Sequence, residues 1–336
     1  MPVRQSRTDI IVVIAVALLA LMVAGELGAY AFHPNSYSAS AEWDGSTVEY
    51  TVESNGSDGY AAVAMQGSSP VEELVIYIDE SFDDNLDDAR EVCRVLGFDQ
   101  GSMADQLTKQ LSMRGMSEVS EEDSSGLSDF VNSTKADAAG KGIFVAGYAL
   151  PSSVYTGSAS DPIFEWISNG GRLYWASSEI GRFYSDGSGI HEVPGNETLF
   201  FGTEGCIFGE SAVATETDPA GLCDVFTLQC NDMDYALSMS VPGVLSMGYV
   251  HDGFASVSLV GMGAGSVCVF SGTLGIRQTE DMAQVIAAGI TDDTVVLDTR
   301  QGEVKGETDG SFTGPQDSLY IYIGGVNTVF GRLFVD

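Results

Sequence analysis

Several polar side chains follow the predicted strands in the middle of the chain, where an open α/β sheet usually binds its ligands. Each one comes directly after an apolar run, and the carboxyl ends of parallel strands meet at one edge of their sheet. The sequence therefore predicts a ligand-binding set at this edge, whose members are Asp79, Glu80, Tyr148, Ser177 and Glu179.

The same edge offers one arrangement for hydrolysis. Ser178 would be the nucleophile, His191 or His251 the general base, and Asp79 the group that orients the histidine. A nucleophile elbow has glycines two residues before and after its serine, and Ser178 has no glycine at either position. We therefore favour a turn or a strand-end cap for the serines. An extracellular hydrolase that uses Ser178 is the alternative.

Two further stretches resemble ligand sites only superficially. The acidic residues 79–88 offer oxygen ligands for a cation, but they lack the turn glycine of an EF-hand and suit the capping of a helix start. The glycine-rich residues 261–265 precede a strand instead of opening a helix, which indicates a tight turn and not a dinucleotide site. The sequence predicts no metal and no cofactor.

The elements that must position these residues centre on residues 142–184. An apolar strand at 143–146 is followed by a helix at 161–168, a stop at Gly170 and Gly171, and a second apolar strand at 173–176. This succession predicts a parallel β-α-β unit. Trp166 on the helix and Trp175 in the strand are predicted to pack in the core.

The rest of the middle region continues this alternation. A continuous apolar strand at 73–79 precedes helices at 85–96 and 103–113, and further strands and one more helix are predicted at 199–201, 256–260, 267–270 and 281–288. The acidic, serine-rich residues 117–136 are predicted to be a mobile or weakly helical surface segment with a solvated face. The predicted fold is a three-layer α/β/α sandwich with a mostly parallel sheet.

Both ends of the chain have β patterns. A hairpin is predicted at residues 47–65, and further strands lie between 294 and 335. Because neither end has enough strands to be stable alone, we predict that they pair into one small β module. The predicted division is an anchor at 1–32, a tether and hairpin at 33–70, an α/β domain at 71–291, and strands at 292–336 that pair with residues 43–66.

The amino-acid sequence of the middle region resembles that of a known family. The succession ELVIYID, GIFVAGYALP, WISNGG, RLYWASSEIG, AGSVCVFSG and TEDMAQVIAAGI is similar to the class I glutamine amidotransferase-like fold, a flavodoxin-like sandwich, over residues 72–291. In that family a cysteine lies in a sharp turn after the strand that corresponds to 173–176, with His and Glu partners near the domain's end. Here the turn holds Ser177, Ser178 and Glu179, and residues 275–281 contain no histidine. The resemblance implies a divergent member without amidotransferase chemistry, in a superfold whose non-enzymatic members serve in sensing or scaffolding.

The first 32 residues predict export. Arg4 and Arg7 precede an apolar run at 10–25, the apolar character continues to Phe32, and the next basic residue is Arg90. The positive-inside rule then predicts a cytoplasmic amino terminus and an extracellular bulk. Including residues 27–32, the run reaches the ~20 residues of a spanning helix, so we favour a single-pass signal-anchor in the cell membrane. Cleavage after Ala31, which would give a secreted protein, is the alternative.

Composition excludes some partners. With 14 Lys and Arg against 48 Asp and Glu, the formal net charge is −34. Such a chain repels phosphate backbones, so no nucleic-acid partner is predicted. The sequence predicts a non-catalytic binding or assembly role at the cell surface, with a protein or a glycan as partner.

Export also bears on modification. Five cysteines are present, and one disulfide is predicted among Cys206, Cys223 and Cys230, which lie in a loop-rich stretch. Three sequons make the chain a predicted glycoprotein, with sites at Asn55, Asn132 and Asn196.

Overall fold

The computed structural model describes residues 37–43, 47–54, 59–66, 69, 71–79, 100–146, 148–210, 212–216, 226, 228–229, 231–272, 276–292, 294–303, 306–313, 319–325 and 331–334. Side chains are described only between residues 69 and 294. No helix in these ranges is both long and apolar enough to cross a membrane. The predicted anchor at 1–32 and the predicted helix at 85–96 lie outside the described residues.

Strands are numbered in chain order. They are β1 (Tyr37–Trp43), β2 (Thr47–Ser54), β3 (Gly59–Gln66), β4 (Glu73–Tyr77), β5 (Val119–Glu122), β6 (Lys141–Val145), β7 (Ala149–Pro151), β8 (Arg172–Ala176), β9 (Phe183–Asp186), β10 (Gly189–Glu192), β11 (Leu237–Ser238), β12 (Leu245–Ser246), β13 (Val250–His251), β14 (Phe254–Ala255), β15 (Val257–Met262), β16 (Gly265–Phe270), β17 (Val295–Glu303), β18 (Gly306–Thr313), β19 (Leu319–Gly325) and β20 (Gly331–Phe334).

Helices in the described ranges are α1 (Gln100–Met113), α2 (Ser124–Thr134), α3 (Pro162–Ser168), α4 (Asn196–Phe201) and α5 (Ile276–Ala288). Two of them begin as their sequences suggest. Asp123 caps α2 by accepting hydrogen bonds from the N–H groups of Ser125 and Gly126. Pro162 lies at the first position of α3, where its missing N–H costs nothing.

A seven-stranded sheet forms the centre, in the order β12–β15–β16–β8–β6–β4–β5. The strands from β16 to β5 are parallel, and β15 is antiparallel to both of its neighbours. The predicted mixed α/β fold with a mostly parallel central sheet is therefore confirmed. The β-α-β unit is confirmed as well, since β6, α3 and β8 follow each other in the chain and β6 pairs in parallel with β8.

Alternate residues of the central strands enter two separate apolar clusters. Leu74 and Ile76 pack with residues of α1 and α5. Val75 and Tyr77, on the opposite face of the same strand, pack with residues of α2 and α3. Because side chains along a strand alternate between faces and both faces are covered, β4 is apolar and buried at every position from Leu74 to Tyr77. Trp166 and Trp175 are fully buried, as predicted.

The strands at the two ends of the chain pair with each other. One sheet has the order β1–β2–β18 and another has the order β17–β3–β19–β20. The predicted hairpin at 47–65 is wrong in its pairing, because β2 and β3 belong to different sheets and each pairs with a strand from the other end of the chain. The predicted tether is also shorter, since β1 begins at Tyr37 and pairs with β2 along its length.

The middle region has one partly correct and one wrong local prediction. Residues 117–136 lie at the surface and include a helix, as expected, but they are more regular than predicted, because they contain β5 and the capped α2, which buries Leu127 and Val131 one turn apart. Residues 199–201 were expected as a strand, but they end α4. There Phe200 packs against Phe164, with 5.1 Å between the ring centroids, so a tertiary contact outweighs the local strand preference of these aromatic residues.

The glycine-rich residues 261–265 form a tight turn, as predicted. Met262 and Gly265 pair as the last residues of β15 and the first of β16, which leaves Gly263 and Ala264 as the connection. Gly263 has a φ of 69°, and a Cβ there would lie 2.7 Å from the backbone of Ser168. Glycine is needed here for both reasons.

Candidate functional site

The carboxyl ends of β4, β6 and β8 lie at one edge of the central sheet, because the three strands are parallel neighbours. Asp79 follows β4, Tyr148 follows β6, and Ser177 follows β8. The structure therefore brings the described members of the predicted set to a common edge. Glu80, the remaining member of the predicted set beside Glu179, lies outside the described residues.

Asp79 is buried at this edge and engaged by its own chain. The Oγ of Ser185 donates a short hydrogen bond to its Oδ2. The backbone N–H of Asp79 donates to Oε1 of Gln100 at 3.0 Å, and Nε2 of Gln100 donates back to the carbonyl oxygen of Asp79 at 2.9 Å. A buried carboxylate needs such partners, so Asp79 has a structural role in this arrangement.

Tyr77 extends this network along β4. Its hydroxyl lies 3.2 Å from Oγ of Ser124, at the start of α2. Burial raises the pKa of Tyr77 well above its ordinary value, and the nearby charge of Asp79 raises it further. The phenol therefore stays protonated and acts as a hydrogen-bonding group, not as a base.

A small sheet covers the edge beside β4. It has the order β10–β9–β7, with β9 antiparallel to β10 and parallel to β7. Ser185, which binds Asp79, lies in β9, and its carbonyl oxygen accepts a hydrogen bond from the N–H of Ser152 at 2.7 Å. Tyr148 is half-buried against Ala149 of this sheet. The position at which α/β proteins commonly hold a ligand is thus occupied by the chain itself beside β4.

The serines after β8 lie in a turn, which is one of the two roles favoured from the sequence. Ser177 has a left-handed backbone with a φ of 62°, which is strained for a residue with a Cβ. The N–H of Ser177 donates to the carbonyl oxygen of Phe270 at 3.1 Å, and its buried Oγ has no partner among the residues that the structure describes. The Oγ of Ser178 accepts a hydrogen bond from Nε1 of Trp175 at 2.8 Å. Ser178 is therefore held by a core side chain.

Glu179 is also held within the fold. Its Oε1 accepts a hydrogen bond from Nδ2 of Asn196 at 2.9 Å, and its Oε2 lies 3.5 Å from Nη1 of Arg182. Arg182 donates in turn to Glu192 of β10 at 3.1 Å. These contacts connect the turn after β8 with α4 and with the small sheet.

Neither described histidine lies against the serines. Nε2 of His191 lies 3.1 Å from Oδ1 of Asp186, and its ring stacks on Tyr184 with 4.7 Å between centroids. Nε2 of His251 lies 3.4 Å from Oδ2 of Asp252. No hydrogen bond joins either ring to Ser177 or Ser178 within the described ranges, so the triad that a Ser178 nucleophile needs is not assembled there.

Asp186 and Ser188 form the tip of the β9–β10 hairpin. Oδ1 of Asp186 accepts hydrogen bonds from the Oγ of Ser188 at 2.6 Å and from its N–H at 2.7 Å. These bonds, with a smaller contribution from His191, hold the pKa of Asp186 well below its usual range. The same nitrogen of His191 faces both Asp186 and Ser188, which is a turn arrangement and not a catalytic relay.

Two of the five cysteines lie in the described part of the chain. Cys206 and Cys268 are free and buried there, which narrows the predicted disulfide to Cys223 and Cys230. Burial raises the pKa of Cys206 to about 12, with the charge of Glu197 as the next cause, and burial also raises the pKa of Cys268. Cys223 and Cys230, the remaining pair of the prediction, lie outside the described residues, as does Cys93.

The three sequons fall in different places. Asn132 is exposed in the last turn of α2, and its Nδ2 donates to the carbonyl oxygen of Ser128 at 2.9 Å. Asn196 is buried, and its Nδ2 donates to both Glu179 and the carbonyl oxygen of Ile180. The prediction of a glycan at Asn196 conflicts with this burial, because both protons of the amide are used inside the fold. Asn55 lies outside the described residues.

No group of three or more His, Cys, Asp or Glu side chains in the described part of the chain could hold a metal ion. Of the acidic residues 79–88, the structure describes only Asp79. Ser185 and Gln100, two of its partners, are neutral residues of the chain.

Sequence reasoning missed Ser185 and Gln100, which lie 106 and 21 residues from Asp79 along the chain. Neither residue follows an apolar run at a predicted strand end. Only the parallel pairing of β9 with β7 brings Ser185 to the sheet edge, and the local sequence around either strand does not predict that pairing.

Comparisons with known proteins add little to this geometry. No protein-family model matches the chain, and no curated protein matches it. Among solved structures, it is similar to exo-beta-1,4-mannosidase Op5Man5 from Opitutaceae bacterium strain TAV5, with a TM-score of 0.36, 14% identity, and coverage of 67% of this chain and 37% of that one. It is also similar to Gan42B, a GH42 beta-galactosidase from G. stearothermophilus, with a TM-score of 0.37, 16% identity, and coverage of 65% and 30%. The chain thus spans about a third of the length of these proteins. At these TM-scores the likeness establishes neither a shared fold nor a shared activity.

Proposed function

We propose that this chain is an exported, membrane-anchored protein with a non-catalytic binding or assembly role at the cell surface. The basic residues Arg4 and Arg7 before the apolar run 10–25, and the lack of further Lys or Arg before Arg90, support the anchor and its orientation. The net charge of −34 favours a protein or glycan partner over a nucleic acid.

We further infer that residues 71–291 form a divergent class I glutamine amidotransferase-like domain, a three-layer sandwich inserted into the β module. The two apolar clusters on opposite faces of the central sheet support the three layers. The pairing of β2 and β3 with strands from the carboxyl-terminal end supports the insertion. Ser177 in place of the family's cysteine supports a domain that does not retain the family's chemistry.

One observation carries the non-catalytic role. At the carboxyl edge, three of the described side chains that catalysis would use are hydrogen-bonded to other parts of the chain. Asp79 binds Ser185, Ser178 binds Trp175, and Glu179 binds Asn196. A catalytic group must reach the reacting atoms, and these groups would first have to break internal bonds.

A fluorophosphonate probe, which labels activated serines, tests this proposal against the hydrolase alternative. We expect no labelling of the full-length chain, because Ser178 has no adjacent histidine. The Ser178→Ala variant is the matched control. Labelling of the native chain that disappears in Ser178→Ala would overturn the non-catalytic role.

Export and anchoring have a separate test. Intact cells are treated with a membrane-impermeant amine reagent, and the chain is then recovered from membranes and from the medium. We expect modification of lysines such as Lys135, whose side chain is 40% exposed, and recovery with the membranes. Recovery from the medium with an amino terminus at Phe32 would instead establish the secreted alternative. Protection of every lysine would exclude export.

Glycosylation is tested in a host that modifies N-x-S/T sequons. We expect enzymatic deglycosylation to change the mass of the native chain at Asn132 but not at Asn196, because only Asn132 is exposed. The Asn132→Gln and Asn196→Gln variants assign the change. A glycan at Asn196 would show that its buried contacts form only in part of the population.

A further inference from the structure

We propose that the β module holds the α/β region away from the membrane, with the carboxyl edge of the central sheet pointing outward from the cell. The loops at that edge, with the half-buried Glu179 and the β9–β10 hairpin, would then face partners that arrive from the solvent side and not the lipid of its own membrane. This inference rests on the proposed anchor. The supporting observation is the register of the strands at the points where the chain enters and leaves the β module.

The chain enters the module at one end. Tyr37, the first residue of β1, lies opposite Ser54, and Gly306 lies opposite Ser54 on the other side. Tyr37 follows the end of the apolar segment at Phe32 by five positions, so it lies within about 17 Å of that residue. This end of the module, which we call the entry end, therefore faces the membrane.

The chain leaves the module for the α/β region at the opposite end. β3 starts at Gly59, five positions after Ser54, and runs to Gln66. Gln66 lies opposite Val295, where the chain returns from the α/β region into β17. Eight residues of β3 span about 26 Å, which separates this exit end from the entry end.

The exit end joins the amino edge of the central sheet. The N–H of Ser69, three positions after Gln66, donates to the carbonyl oxygen of Gly289 at 2.7 Å, just after α5. Arg172, the first residue of β8, donates a short hydrogen bond to the carbonyl oxygen of Ser69. The N–H of Glu72, just before β4, donates to the carbonyl oxygen of Gly140, just before β6, at 2.7 Å.

The chain passes between the module and the α/β region twice, after Gln66 and before Val295, and these two connections lie side by side. Two adjacent connections restrict rotation at this junction more than one flexible linker would. The returning connection is short, because Thr291 and Thr294 close a turn directly before β17. The N–H of Thr291 donates a hydrogen bond to Oγ1 of Thr294 at 2.8 Å. The carboxyl edge lies at the far ends of the parallel strands, about 17 Å beyond the junction for the five residues of β8.

The charge of the chain favours the same orientation. A protein with a net charge of −34 is repelled by anionic headgroups, so lying flat on such a membrane is unfavourable within a Debye length of about 8 Å. Standing on the module places the acidic α/β region beyond that distance.

Energy transfer from a single donor dye to headgroup-labelled lipid tests the orientation in liposomes that contain the full-length chain. The donor is attached through an azide-bearing amino acid at position 303 of the entry end, at Asp292 near the exit end, or at Gly187 on the hairpin of the small sheet. Asp292 is exposed, and a Cβ at Gly187 meets no atom within 4 Å. We expect transfer to be strongest from position 303, intermediate from Asp292 and weakest from Gly187.

Flotation of the same liposomes separates the two ways to fail. If the chain floats but Gly187 transfers as strongly as position 303, the outward orientation is wrong while the anchor stands. If the chain does not float and no position transfers, the anchor is wrong, and the orientation that depends on it falls too. Repeating the measurement in neutral liposomes tests whether charge repulsion contributes to the orientation. If the β module alone sets the orientation, the order of energy transfer from the three positions stays the same.

Discussion

Two places on the carboxyl edge, the end of β4 and the turn after β8, differ in how their polar groups are satisfied. At the end of β4, Asp79 is buried with hydrogen bonds to Ser185 and Gln100. In the turn after β8, Ser177 has a strained backbone and a buried hydroxyl without a described partner. The first place is built like a structural core network, and the second has local strain in its backbone. The same edge of one sheet is therefore covered by other parts of the chain at the end of β4 and has a strained backbone in the turn after β8.

The largest expected effect is at the closed end. Asp79→Ala removes the acceptor of the Ser185 hydroxyl and should lower the free energy of unfolding by about 2 kcal/mol. Urea unfolding of the full-length chain in detergent measures it. Ser185→Ala and the double variant complete a mutant cycle, and additive effects would show that the two residues are not coupled.

The opposite sign is expected at the strained turn. Ser177→Gly allows the positive φ without a Cβ and should raise the free energy of unfolding by about 1 kcal/mol. Ser178→Gly is the matched control and should lower it by a similar amount, because it removes the acceptor of Trp175 Nε1. A loss of stability in Ser177→Gly would mean that its hydroxyl has a partner, and the contrast between the two places would disappear.

A smaller effect should separate Ser178 from Ser177. Trp175→Phe removes the Nε1–H donor together with part of a buried ring, so its cost combines packing with the hydrogen bond, and the part that depends on Ser178 should be about 1 kcal/mol or less. In a Ser178→Ala background the same substitution should cost less by the value of that bond. An equal cost in both backgrounds would assign the whole effect to packing.

The smallest effect concerns the hairpin that covers the closed end. The pKa of Asp186 is lowered in the folded chain, so its contribution is fully present above the unfolded value of about 3.9 and is lost as the pH falls through the lower folded value. Hydrogen exchange at the N–H of Ser188, corrected for the intrinsic rate, should show protection that is constant above about pH 4 and declines below it. Asp186→Asn should show no such decline.

The sequence predicted the sheet-edge residues better than their partners. A strand that is apolar at every position has to be covered on both faces, and parallel strands must end at one edge, so Asp79 and Ser177 could be placed together from local patterns. Ser185 reaches Asp79 only through the pairing of β9 with β7, across 106 residues of chain. Long-range pairing leaves little trace in local periodicity, and for this reason the closure of the edge was not predictable.

The same limit explains the errors. The predicted strand at 199–201 was wrong because contact between Phe200 and Phe164 stabilises a helix there. The predicted hairpin at 47–65 paired the nearest strands, whereas β2 and β3 each pair with strands from the other end of the chain. In both cases a nonlocal contact outweighed the local preference.

By itself, the sequence determined the alternation of strands and helices, the parallel β-α-β unit, the buried tryptophans and the strongly acidic surface, because each depends on local periodicity or composition. Only the tertiary structure decided which hydrogen bonds satisfy the polar groups at the carboxyl edge and which serine bears the strained backbone. It also decided that Asn196 and Cys206 are buried, and which strands from the two ends pair. These features depend on residues that are distant in the chain and close in space, and their energies are set by burial and partner geometry, which the order of residues does not display.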